Sequence, residues 1–132
     1  MLVIVSAMAF GASRLELAES YRLRRDKEEE LLFRGREYAR AIKAFSKKNN
    51  RYPRELAELM DEKSPQKRRF IRQLYKDPIT GKDFNPVLTP EGMVIGVRSS
   101  SKAAPFRKVA FDDAPKDFDK AKTYADWKFE AR

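Results

Sequence analysis

The sequence contains neither cysteine nor histidine. Their joint absence excludes thiol and imidazole catalysis, thiolate zinc sites and disulfide bridges, so stability has to come from packing. It leaves the compartment open, because a chain without cysteine suits reducing and oxidising surroundings alike. Glycine is scarce, and the five residues at 11, 35, 81, 92 and 96 are too scattered for a phosphate-cradling loop. Ser99 to Ser101 lacks the histidine of a triad and the strained turn of a nucleophile elbow. The carboxylates lie in helical charge runs or in turns, and none is set apart as an acid–base pair. No catalytic residue is nominated, and the chain reads as a non-enzyme.

A long apolar run is also missing. Met1 to Ala12, MLVIVSAMAFGA, is almost wholly apolar, yet it is little more than half of the roughly 20 residues that a membrane span needs. Nor does a basic stretch precede it, as a secretory signal would require. The run is either a buried helix end or the second part of a longer membrane helix.

What is present fits one small domain: 132 residues, of which 42% are hydrophobic and 11% aromatic, enough for a single core. The 37% of charged residues requires that much of the chain face water, and part of it is expected to protrude. The net charge of +9 suits an anionic partner, whether nucleic acid, anionic lipid or an acidic protein surface.

From Ser13 to Asn50 there is no proline and one glycine, while Ala, Leu, Glu, Lys and Arg dominate, which predicts one continuous helix. Leu31, Tyr38, Ile42 and Phe45 recur at helical spacing beside Gly35, Ala39 and Ala41, giving the second half a face for a core. The stretch Arg22 to Glu30, RLRRDKEEE, offers only Leu23 as a sizeable apolar side chain and is expected to stand in solvent or against a neighbour. The chain therefore divides into an N-terminal half-helix, 1–30, and a globular part, 31–132.

Asn49, Asn50 and Pro53 predict the end of the helix, and Leu56, Leu59 and Met60 predict a short one after it. Arg68 to Leu74 has the spacing of a further helical turn. KDPITGKDF reads as a loop, with Pro78 presetting its φ and Gly81 supplying a positive one. Met93 to Val97 and the region of Tyr124, Trp127 and Phe129 are the best strand candidates, with Val109 to Phe111 a third. Helix first and antiparallel strands after predicts an α+β domain in which a small sheet packs on one stripe of the helix.

Taken in order, the apolar helix, NNRYPRELAELM, LYKDPITGKDF, GVRSSS and YADWKF resemble the pilin-like proteins of type II secretion, nearest to the major pseudopilins. The motif residues are Tyr52-Pro53, the Asp77-Pro78-x-x-Gly81 loop and the closing Tyr124-x-x-Trp127-x-Phe129 segment. The resemblance spans nearly the whole chain. It implies a structural subunit of a secretion pseudopilus or related type IV pilus-like filament, anchored by one helix in a bacterial inner membrane with its globular domain in the periplasm. The implied partners are copies of itself, other pseudopilins and inner-membrane secretion components. Family precursors carry a basic leader ending in Gly and a Glu at the fifth mature position, whereas Val5 stands there if Met1 is counted as first. The expectation is that this sequence begins inside the family's helix.

Major pseudopilins often bind calcium through a C-terminal loop rich in Asp and Gly. Here Asp112, Asp113, Asp117 and Asp119 supply oxygens, but interleaved lysines and the lack of glycine favour a solvated acidic turn, and no cofactor is expected. Trp127, the only tryptophan, reads as a core anchor. In a filament, Arg22, Arg24 and Arg25 of one subunit are expected to meet Glu28, Glu29 and Glu30 of another. The alternative is a basic nucleic-acid-binding module, in which Lys67, Arg68, Arg69, Arg72 and Lys76 contact phosphates while Phe70 and Tyr75 stack on bases. The spacing of Phe70, Ile71 and Leu74 points instead to aromatics turned into a core, so nucleic acid is the less favoured partner.

Overall fold

The computed structural model describes residues 2–60, 69–106 and 118–131, with side chains from Ser20 onward and without that of Asp119. The chain opens with one helix, α1 (Leu2–Asn49), about 70 Å long at 1.5 Å per residue. It ends as the sequence predicts. Asn50 takes the left-handed conformation at φ 56°, its amide donates to the Ser46 carbonyl at 2.9 Å, and the Asn49 side chain donates to the Phe45 carbonyl. Lys47 and Lys48 stand in the last turn, where cations complement the helix dipole.

A short 3₁₀ turn, Leu56–Met60, follows and buries Leu59. Three strands then form one antiparallel sheet in the order β1 (Asn85–Leu88), β2 (Val94–Arg98) and β3 (Phe129–Glu130). In β1–β2 Asn85 faces Arg98 and Val87 faces Gly96, with a bulge between Val87 and Leu88; in β2–β3 Val97 faces Phe129. The helix lies across β2 and β3, confirming an α+β architecture of one long helix and a small antiparallel sheet. Phe118–Lys120 and Tyr124–Asp126 are single 3₁₀ turns.

The core lies where the second half of α1 meets β2. Leu31, Leu32, Tyr38, Ala41, Ile42 and Phe45 bury one stripe of the helix against Val94, Val97 and Phe129, with Trp127 fully enclosed. The Trp127 ring stacks on Phe118 at 5.1 Å between centroids, meets Tyr124 edge-on, and donates its Nε1–H to the Phe118 carbonyl at 3.1 Å. Two glycines permit the close approach of Phe129, one in the helix and one in the neighbouring strand β2. A methyl group on Gly35 would fall within the Phe129 ring, and one on Gly96 would strike the Phe129 carbonyl.

Several expectations are corrected. Residues 69–74 form bends rather than a helical turn, and Leu74 lies exposed. Tyr124 to Trp127 is not extended: the Asp126 carboxylate accepts the amides of Lys122 and Thr123 and holds a 3₁₀ turn, leaving two residues for β3. Strand β1 was not anticipated, because Pro86 breaks the apolar pattern; the proline is tolerated there because β1 is an edge. Val109 to Phe111 lies outside the described residues. The most consequential correction concerns Glu28, which is 1% exposed rather than solvated.

Candidate assembly surface

Of the six charged residues expected to meet a neighbour, Glu28 belongs to the interior of its own domain. It sits one helical turn before Leu31 and Leu32, on the same stripe, so the helix carries it inward. Its carboxylate accepts the Phe106 amide at 2.7 Å and the Tyr124 hydroxyl at 2.8 Å, pinning two distant segments to α1. Burial, reinforced by that hydrogen bond to Glu28, pushes the Tyr124 hydroxyl up to about 12. The other two glutamates are engaged along the helix: Glu29 faces Arg25 at 3.9 Å, and Glu30 accepts from Arg34 at 2.8 Å. Exposed pairs of this kind contribute about 0.2–1 kcal/mol each.

Arg22, Arg24 and Arg25 all face solvent, and Arg24 reaches the Ala104 carbonyl at 3.3 Å. Between them Tyr21 and Leu23 are 54% and 58% exposed, and the Tyr21 ring contacts that of Phe106, itself 44% exposed, at 6.0 Å. A knob of three apolar side chains ringed by arginines therefore stands on α1 ahead of the core.

A second surface feature opens beside β1. An apolar cleft of about 470 Å³ lies between α1, the 3₁₀ turn at Leu56 and strand β1. Its floor is Tyr38, Phe84 and Val94, all buried, and its lips are Leu74 and Leu88, 43% and 55% exposed. Phe84, Pro86 and Leu88 line it together because alternate residues of a strand share a face. Exposed Arg54, Glu55 and Asp83 edge the cleft. One wall is fixed by the Tyr38 hydroxyl, which donates to the Tyr75 carbonyl at 2.7 Å; burial, then the nearby Asp83 carboxylate, push that hydroxyl up to about 12.

The residues of the motifs are structural. Tyr52 packs on the core, and the carbonyl of buried Pro53 accepts the Val94 amide at 2.8 Å, tying the segment after α1 to β2. Asp77 is fully buried at the base of its loop. Its carboxylate accepts the Ile79 amide at 2.9 Å and the hydroxyls of Thr80 and Ser99. Pro78 begins the turn and Gly81, at φ 73°, closes it by donating to the Asp77 carbonyl at 2.7 Å. Ser99 in turn accepts the Ser101 amide, so the serine run helps fold the loop.

Asp112, Asp113 and Asp117, and the side chain of Asp119, lie outside the described residues. Among the described residues no three carboxylates cluster to hold a metal. Lys67 and Arg68 are likewise outside. Of the basic group around them, Arg69, Arg72 and Lys76 are exposed, but the interleaved rings face inward: Phe70 meets Phe45 edge-on at 5.3 Å, and Tyr75 lies against Tyr38 and Phe33. Among the described residues no helix is long and apolar enough to cross a membrane. Comparison with models of known families, with curated proteins and with solved structures gives no match to this chain.

Proposed function

We propose that the chain is a structural subunit of a pilin-like filament, of the kind built by type II secretion systems, and that it performs no catalysis. One observation carries this reading: α1 runs far past the domain that its second half helps to build, and the projecting part bears exposed Tyr21 and Leu23 among arginines. Among the described residues the domain meets this part of α1 at Phe106 and Ala104 and leaves Tyr21 and Leu23 more than half exposed, which suits it to packing against copies of itself. The order of motifs that resembles pseudopilins supports the same reading, because each motif has a structural task in joining helix, loop and sheet. On this reading the helix is held in a bacterial inner membrane before assembly, the domain faces the periplasm, and the partners are like subunits and secretion components.

The test is a variant in which Leu23→Asp and Arg25→Glu are combined. Both side chains are exposed, so the domain should melt as before, while filament assembly and protein secretion in cells should be lost. Normal secretion by this variant, together with salt-dependent DNA binding by the unaltered protein, would instead favour the nucleic-acid module.

A further inference from the structure

We infer that the cleft beside β1 receives the Tyr21–Leu23 knob of a second copy of this chain. The inference rests on the filament reading and specifies its contact. Knob and cleft cannot meet within one molecule, since Leu23 and Tyr38 are separated by about 22 Å of rise along one rigid helix. Each leaves sizeable apolar surface in water: Tyr21, Leu23 and Phe106 on the first, Leu74 and Leu88 on the second. Apolar surface gathered in this way marks an interaction site.

Charge selects the occupant. The knob is ringed by Arg22, Arg24 and Arg25, with exposed Asp26 and Lys27 cancelling beyond them. Among the described residues that line it, the cleft is edged by Glu55 and Asp83 against one cation, Arg54. A cationic knob thus meets a net anionic rim. Of the partners first expected for these arginines, Glu30 is already engaged by Arg34 of its own helix, Glu28 is buried, and Glu29 makes a long, exposed contact of 3.9 Å with Arg25 with which a neighbour's carboxylate can compete. Glu55 and Asp83 are the acidic groups beside an apolar receptor.

The geometry of such a contact is heterologous, because two different patches of the same chain meet. A heterologous contact whose rotation does not close on itself produces an open helical filament rather than a dimer. The cleft volume of about 470 Å³ is ample for one aromatic and one leucine side chain.

The absence of cysteine makes the test direct. Full-length Leu23→Cys, Leu88→Cys and the double variant are each oxidised under assembly conditions, then examined on denaturing gels and by electron microscopy. Head-to-tail docking predicts a ladder of cross-linked multimers from the double variant, one heterodimer band from mixed single variants, and no dimer from either single variant alone. The ladder should weaken several-fold in Glu55→Lys/Asp83→Lys and recover when Arg22→Glu/Arg25→Glu is added. Homodimers of either single variant would overturn the proposal by showing a two-fold contact. Filaments without a ladder would overturn the docking contact and leave the filament reading standing. Neither filaments nor ladder would overturn both.

Discussion

Within the run Arg22 to Glu30, Glu28 alone is buried, and its carboxylate joins the Tyr124 hydroxyl and the Phe106 amide to α1. Taking the acceptor from the buried Tyr124 hydroxyl makes Glu28→Ala costly, at about 1–3 kcal/mol for a buried group left without its partner. Urea denaturation of this variant should show that loss, whereas Glu29→Ala should stay within about 0.5 kcal/mol of the parent. Sequence reasoning missed Glu28 because nothing in EEE distinguishes the residue that falls on the buried stripe. Extending the spacing of Leu31, Leu32 and Gly35 back by one turn was the available signal. Trp127 was legible for the opposite reason, as a lone large ring has few places to go but a core. Its replacement by Ala should cost about 3–5 kcal/mol.

The two buried tyrosines give the protein an alkaline limit. Burial comes first in raising both hydroxyls from 10.0 to about 12, aided by Asp83 at Tyr38 and by the Glu28 hydrogen bond at Tyr124. A raised folded-state value means that the neutral hydroxyls contribute their full stability below about pH 10 and lose it as pH rises towards 12. The denaturation midpoint should therefore fall across that window, and the fall should be smaller in Tyr38→Phe/Tyr124→Phe. An equally steep fall in the double variant would assign the alkaline limit to other groups.

At the scale of elements, the contact between α1 and β3 depends on Gly35. Alanine is the better helix former by about 1 kcal/mol, which alone would make Gly35→Ala stabilising. The Phe129 ring occupies the space the methyl would need, and overpacking of a core costs about 1–3 kcal/mol, so a net loss is expected in thermal denaturation. A rise in Tm would mean that the helix and β3 separate readily. The helix, its left-handed end at Asn50 and the Asp77 loop were legible because propensity, chain reversal and proline act locally. Strand β1 was not, since Asn85–Leu88 offers only two apolar residues after a proline and owes its form to pairing with β2. The turn at Tyr124 escaped for a similar reason: alternation of large rings mimics a strand, and the Asp126 carboxylate prevails over it.

Across the whole molecule, α1 joins a domain with its own core to a projecting, arginine-rich segment. The cleft that complements this segment draws on α1, the Leu56 turn, the chain at Leu74 and strand β1, so no local pattern announces it. Its acidic rim and the arginine ring are both exposed, and such contacts are screened by salt. Assembly should accordingly weaken as salt is raised from low to physiological ionic strength, a trend that light scattering would follow. The central claim is that this chain forms filaments through its projecting helix. Electron microscopy of material sheared from bacteria overproducing the full chain, labelled with antibody against the globular domain, tests it most directly. The account predicts labelled filaments that vanish in the Leu23→Asp/Arg25→Glu variant; unlabelled or absent filaments in cells rich in the folded, unaltered protein would contradict it.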